Sequence, residues 1–566
     1  MKNIISFILL ALLPVVASAY NIYVDGIFYN LSGNEATVTY SDYDENTATF
    51  TPAYKGNVVV PASVTFGGKS YSVTSIGSSA FTDCTELTSV TLPENVASIG
   101  GYAFYGCKNL TSINIPARVT RIASHAFEGC YNLSSVTIPN SVVSIEGNAF
   151  NNCKNLTSVT IPGSVKTIGS KAFNACSGLT SLTLGDGVTS IGNATFAGCT
   201  SLTSVTFPPS LTSIDESAFS YCTSLATINN PESVTYVSYY AFHNTAWLNN
   251  QPDGLVYLGR IAYIYKGEMP EGTEISIKDG TVQIAGYAFS DCTGLVSITL
   301  PESMKCISTN AFSGCRDLTS ITLPESVTSI GSYAFSGCRS LISATIPIGV
   351  TNISDGVFNN CYSLTYVTIP DGVKSIGDDA FNDCISLTSV TLPESVTSIG
   401  RWTFLGCKNL TSFIIPNNVT NIGYAAFSMC SGLKTVAISS SVKQIDKSAF
   451  YSCSSLTDVF CLAESVPTTA NNAFNGSSIT VATLHVPEGS VEKYQKSLPW
   501  KNFGSIVAIG DDSVIGDDGT GIDGIQNSNF KSQNEEGSII YDLSGRRLDK
   551  PQHGVNIQKG KKVVIK

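Results

Sequence analysis

Charge is scarce in this 566-residue chain: Asp, Glu, Lys and Arg make up only 13 % of it, and the net charge is −11. Gripping nucleic acid by its phosphates takes a concentrated basic face. No such face recurs along the sequence, so nucleic acid is excluded as a partner. Histidine is scarcer still, with only His125, His243, His485 and His553. They stand far apart, and neither G-x-S-x-G nor H-E-x-x-H accompanies them. A nucleophile and its base must sit within hydrogen-bond reach, and no such pair is marked out, so no catalytic residue is assigned. C-x-x-C pairs with interleaved histidines are missing too, which leaves no metal site and no cofactor to expect. Long apolar runs are also lacking. The one at Ile4–Val16 falls short of the ~20 residues that span a bilayer, and no later segment reads as transmembrane. With Lys2 before it and Ala17-Ser18-Ala19 after it, that run has the form of a signal peptide over 1–19, and no cysteine follows to take a lipid anchor.

What the chain has in abundance is repetition. "LTSITLPESVTSIGSYAFSGC" runs from Leu318 to Cys338, and "LTSVTLPESVTSIGRWTFLGC" from Leu387 to Cys407. Phenylalanine marks the beat from Phe81 to Phe242 in steps of 23. The beat resumes at Phe289, runs to Phe450, and ends at Phe474 one residue late, giving 17 marked units. A period of 20–29 residues around a Leu-x-x-Leu-x-Leu core indicates a leucine-rich-repeat solenoid. The expected fold is therefore a β-rich solenoid, a right-handed superhelix of 23-residue coils with parallel strands and short helical turns. In one unit Leu318, Ile321 and Leu323 should face inward while Ser320 and Thr322 face out. Pro324 ends the strand, Val327 and Ile330 return to the core, and Ala334, Phe335 and Cys338 close the coil. No unit buries these side chains alone; stacking does.

Fifteen of the 17 cysteines sit on the same grid, with Cys306 and Cys461 off it. One cysteine per coil at a fixed phase reads as a core position, its Cβ parallel to the copies above and below. That arrangement disfavours bridging, so buried free thiols are expected.

The remaining pieces divide the chain further. The repeats occupy 75–246 and 285–486, with a β-rich N-terminal cap over 20–74 that has a hairpin turn at Gly67-Gly68. The segment 247–284 interrupts the repeats. Its Trp247, Tyr257, Tyr263 and Tyr265 read either as rings offered to a ligand or as the small core of a lengthened coil with a hairpin. A terminal cap over 487–509 carries a short helix near Ser490–Ser497. The Gly/Asp-rich stretch 510–536 reads as a linker; its aspartates lack the spacing of an EF-hand loop. A basic β tail, 537–566, ends the chain.

Two features suggest a contact surface. The first is breaks in the outward Ser/Thr ladder, where Tyr366, Ile414 and Ala437 stand instead. The second is a stripe of large residues just before the "AF" pair: Tyr102, Tyr240, Tyr287, Tyr333 and Trp402. Aromatics bury large area at low entropy cost and are favoured at interfaces. With Trp247 from the interrupting segment, these are the candidate ligand-binding residues; the plainer reading is that they pack on neighbouring coils.

The motif "LTSVTLPESVTSIGxxAFxGC" resembles the leucine-rich repeat of the BspA-like surface proteins of anaerobic Gram-negative bacteria and some mucosal parasites, over about Ser75 to Val486. The resemblance implies a secreted or surface-attached protein, and the missing catalytic pairs and motifs read as a protein that is not an enzyme. Its partners would be surface or extracellular-matrix proteins in adhesion, with glycans or a purely structural surface role as alternatives. "YDLSGRRL" and the closing "GKKVVIK" resemble the last part of a type IX secretion sorting domain, although only about Gly537–Lys566 matches.

Overall fold

Each repeat folds as one coil because its apolar residues fall on the inner side of two short strands and one turn. In the coil that begins at Leu318, the side chains of Leu318, Ile321, Leu323, Val327, Ile330, Ala334, Phe335 and Cys338 are all buried. Ser320 and Thr322 are exposed, the alternation that a pleated strand imposes. The structure, a computed structural model, describes residues 20–41, 43–44 and 49–509, and the backbone of 540–541, 547–548, 554–558 and 561–565. The expected signal peptide, the 510–536 linker and its aspartates lie outside the described residues.

Coils stack through two parallel ladders. Strand Ser320–Ile321 pairs with Leu295–Thr299, Ser297 opposite Ser320 and Ile298 opposite Ile321. Strand Ser329–Ile330 pairs with Cys306–Ile307 in the same register. Threonine hydroxyls at the strand entries reinforce the ladders by donating to the carbonyl one coil earlier, as Thr365 does to Ile342 at 3.0 Å.

The expected helical turn around "AF" is instead a chain of hydrogen-bonded turns. Tyr333, two residues before Phe335, has φ 58°, and Gly337, two residues after it, has φ 72°. Left-handed residues cannot extend a right-handed helix, so two of them four positions apart stop one from forming. The turns tie to the next coil instead: Phe335 N–H donates to Val357 O at 3.0 Å, and Gly337 N–H to Asn359 O at 2.7 Å.

Inside, the phenylalanines form a column with centroid spacings of 4.8 to 5.7 Å and planes within 16° of parallel. Each grid cysteine after the first of a block donates its thiol to the carbonyl of the previous coil's phenylalanine, as Cys107 Sγ does to Phe81 O at 3.0 Å. All 17 cysteines are free, and only Cys306 is less than fully buried. The expectation of buried free thiols holds, and the structure adds their role as inter-coil donors. Tyr54 closes one end of the column, 4.4 Å from Phe81. Trp500 closes the other, edge-on to Phe474 at 5.5 Å.

The two caps extend the same ladders. Ile22–Val24, Ile27–Ser32 and Glu35–Thr39 form an antiparallel meander that joins Lys69–Ile76 in parallel. Gly67 and Gly68, both at positive φ, turn the chain between Ser63–Phe66 and Lys69–Ile76. At the far end a helix, Val491–Lys496, precedes Ser505–Ala508, which pairs with Thr483–Val486. In the tail, Arg547–Leu548, Ile540–Tyr541, Gly554–Gln558 and Lys561–Ile565 form a four-stranded antiparallel sheet in that order.

Candidate interaction surface

From Phe81 to Phe450 the turn before the phenylalanine holds one residue in the left-handed conformation, and in most coils that residue is not buried. At Tyr102, Tyr240, Tyr287, Tyr333 and Trp402 that residue is large and aromatic, with φ between 54° and 61°. Tyr221 and Met429 occupy the second left-handed site of their coils, at 58° and 59°. A non-glycine residue there costs roughly 1–2 kcal/mol, and a bulky one is uncommon. Glycine, found at the second site in many coils, avoids that cost.

The candidate residues differ in what they have left to offer. Tyr102 is 43 % exposed and stacks on His125 at 4.4 Å. Tyr333 is half-buried because its ring lies on Gly356, where an added Cβ would come within 2.2 Å of it. Trp402 meets Tyr424 edge-on at 5.4 Å. On the strand face Tyr366 is 51 % exposed, its hydroxyl accepting from Thr368 Oγ1 at 2.9 Å. Ile414 is half-buried. Ala437 corrects the expectation of apolar surface there: it is 1 % exposed, with the larger Ile414 and Phe460 directly opposite it on the flanking strands. Trp247 is half-buried, edge-on to Phe242 at 5.4 Å and 5.9 Å from Tyr263, so much of its ring is taken up in the core.

The interrupting segment hides one additional coil. After a single helical turn, Ala246–Asn249, strands Gly254–Leu258 and Ile261–Lys266 make an antiparallel hairpin. The second of these also pairs in parallel with Gln283–Ile284. Tyr265 N–H donates to Ala288 O at 2.7 Å, the bond that Phe289 makes to Ala311 O at 2.8 Å, so Tyr265 takes the phenylalanine position. Ala262 O accepts from Ala285 N–H as Ile307 O accepts from Gly331 N–H. This coil thus goes from Ala262 to Tyr265 in three steps, where a regular coil takes five from Ile330 to Phe335. The outward turn is missing.

Side chains replace the lost backbone bonds. Gln283, 0 % exposed, accepts from Val237 N–H at 2.8 Å and donates to Val237 O at 3.0 Å and to Ser308 Oγ at 2.7 Å. Its amide offers the acceptor and donor that a next strand would supply. Tyr263 Oη accepts from Phe242 N–H at 2.9 Å, a bond that other coils make to a carbonyl. Neither role was foreseen from the sequence. The available signal was a long amide in a column mostly of Ser, Thr and Asn, beside the gap in the period.

With the turn missing, the flanking turns close on each other and their aromatics meet. Tyr239 lies against Gly286, where an added Cβ would sit 3.2 Å from the Tyr239 Cβ. Tyr240 and Tyr287 are near-parallel at 5.9 Å. Tyr239 meets both edge-on at 5.3 Å. His243 is 5.2 Å from Tyr240 and 5.7 Å from Tyr221. Five rings form one platform, with Tyr221 55 % and Tyr240 48 % exposed. Beside it Ser217 N–H donates to Tyr239 O at 3.3 Å, which sets Glu216 next to Tyr239; that carboxylate, ahead of burial, pushes the Tyr239 phenol up to about 12. Burial also raises the neighbouring Asp215 carboxyl above its ordinary value. Among the described residues no three His, Cys, Asp or Glu side chains gather as a metal site.

The sequence pattern of the BspA type leucine rich repeat region matches residues 63–157, 120–249, 262–387 and 374–497. This chain belongs to the BspA-type leucine-rich-repeat family. The BspA-type repeat is a binding scaffold, and protein–protein interaction is the kind of role that goes with it. No curated protein matches the chain. Among solved structures, a leucine-rich repeat protein from Bacteroides ovatus is 25 % identical, covering 87 % of this chain and 100 % of its own, with a TM-score of 0.40. A leucine rich cell surface protein from Faecalibacterium prausnitzii is 28 % identical, covering 73 % and 93 %, with a TM-score of 0.33. No helix among the described residues is long and apolar enough to cross a membrane.

Proposed function

We propose that this BspA-type chain is an exported, non-enzymatic scaffold that binds protein partners at the cell surface along its turn edge. The observation that carries the reading is the row of large aromatics held in left-handed backbone, Tyr102, Tyr240, Tyr287, Tyr333 and Trp402. Each costs folding energy that glycine would spare, and such cost is characteristic of residues retained for contact rather than for stability. Contacts repeated along a solenoid add through effective concentration, which suits adhesion to matrix or bacterial surface proteins. Export rests on the signal-like 1–19, and delivery to the surface on the basic tail 537–566.

Screening the purified chain against immobilised extracellular-matrix proteins and a glycan array tests this. Protein hits without sugar hits are expected. Sugar hits alone replace the reading with glycan binding, and silence on both replaces it with a structural surface role. Deleting 537–566 is expected to leave the repeats folded while the protein accumulates in the periplasm; unchanged surface display removes the tail from the delivery step.

A further inference from the structure

The turn edge is not uniform, because the missing turn gathers five rings in one place. Elsewhere along it the aromatic groups are smaller: Tyr102 with Tyr105 and His125, and Trp402 with Tyr424. Three of the platform's residues, Tyr221, Tyr240 and Tyr287, sit at left-handed φ of 56° to 61°, so the cost of bulky side chains is concentrated there. The platform also carries negative charge. The bond from Ser217 N–H to Tyr239 O at 3.3 Å sets Glu216 beside Tyr239 on the adjacent coil, and its carboxylate is the first cause of that phenol's raised pKa. The chain as a whole is acidic at −11.

Aromatic faces next to a carboxylate attract cations. The ring quadrupole draws a cation to its face, and a planar guanidinium both stacks on a ring and donates to a carboxylate. Tyr240 and Tyr287 are too closely stacked at 5.9 Å to admit a group between them, so the ligand lies on the outer face, against Tyr240 and Tyr221.

Resting on the reading of this chain as a protein-binding scaffold, we infer that the Tyr221–Tyr239–Tyr240–His243–Tyr287 platform with Glu216 is a discrete site for an arginine side chain of a partner protein. It gives an otherwise repetitive edge one point of specificity.

The test uses the full chain and a fluorescent peptide of arginines spaced by Gly and Ser, followed by anisotropy at low salt and neutral pH. A citrulline version, with the same shape but no charge, is the comparison. The arginine peptide is expected to bind about tenfold more tightly than the citrulline one, the scale of one desolvated cation–π contact with its carboxylate. Tyr240→Gly and Glu216→Gln are each expected to weaken it by about the same factor, with the thermal midpoint of Tyr240→Gly unchanged or higher because the left-handed strain is relieved. Tyr451→Ala, which removes an exposed tyrosine away from the platform, is expected to leave binding unchanged. Equal binding of the citrulline peptide overturns the inference, as does an equal loss in Tyr451→Ala or displacement by methyl glycosides as effective as by free arginine. If the chain holds matrix proteins but Tyr240→Gly and Glu216→Gln leave both that and peptide binding unchanged, the site fails while the scaffold stands. If no protein is held yet the peptides are discriminated as described, the scaffold reading fails and the site stands.

Discussion

The coil at Leu318–Leu341 and the shortened coil at Gly254–Ser276 occupy equivalent places in one stack, yet they are held by different chemistry. In the first, main chain bonds to main chain: Gly331 N–H to Ile307 O, Phe335 N–H to Val357 O. Hydroxyls outside the core, such as Thr319 donating to Val296 O at 3.3 Å, add to ladders that the main chain already makes, so most outer side chains can vary with little loss. At the second, Tyr263 and, from the coil that follows, Gln283 make three of the inter-coil bonds with side-chain atoms, so single residues there carry structure. The regular coil tolerates variation on its outside, and the shortened coil trades that tolerance for a surface unlike any other among the described residues.

The largest way to break the comparison is alkali. Burial raises thiols of the grid above their ordinary value of about 9, Cys292 to about 11 and Cys176 to about 12 among them. A raised folded-state pKa means stability that is complete below the unfolded value and lost as pH rises through it toward the folded one. Each thiol that ionises only in the unfolded chain withdraws about 1.4 kcal/mol per pH unit above about pH 9. No cysteine lies between Cys222 and Cys292, so the effect belongs to the regular blocks. Denaturation midpoints should fall steeply between about pH 9 and 11, with grid cysteines becoming alkylated together in pulse-labelling. A flat profile would show that the thiols ionise in place.

Truncating the column comes next. Phe335→Ala should cost about 3–5 kcal/mol by chemical denaturation. Tyr265→Ala, at the equivalent position of the shortened coil but half-buried and tilted 35° at 6.3 Å from Phe289, should cost about half as much. Equal losses would mean that the column runs through the interruption undiminished.

The smallest change is the sharpest. Gln283→Leu orphans the Val237 amide and carbonyl and should cost about 2–3 kcal/mol. Gln444→Leu, six residues before its phenylalanine just as Gln283 is, but exposed, should stay within about 0.5 kcal/mol. Tyr263→Phe leaves the Phe242 amide unpaired at about 1–2 kcal/mol, and that amide should lose protection in hydrogen exchange.

Much of the regular coil was legible because a fixed period assigns each residue a phase, and phase assigns burial. Phe335, Cys338 and Leu318 could be placed without coordinates. The turn was misread as helical because its left-handed residues are Tyr, Asn, Asp or Ser as often as Gly, and no composition signals them. Ala437 was misread because its cover comes from cross-strand neighbours, Ile414 and Phe460, that sequence separates by 23 residues each way. The aromatic platform was half visible: Tyr240 and Tyr287 stood out, but their meeting depends on a turn that is not there. Phe242 and Phe289 are 47 residues apart, one more than two periods, and an extra coil fits that gap as well as a loop does.

Gln283 also bears on how the chain finds its alignment. Repeat arrays nucleate anywhere and propagate to neighbours, and coils as alike as Leu318–Cys338 and Leu387–Cys407 can dock one unit out of place at little cost, a characteristic failure of such proteins. A slip that carried Val237 onto most regular coils would present it with Ser, Asn or Thr, too short to return both bonds, and the one other glutamine at that position, Gln444, is exposed rather than buried. The buried amide therefore acts as a bookmark, fixing which coil follows which in a text that otherwise repeats itself.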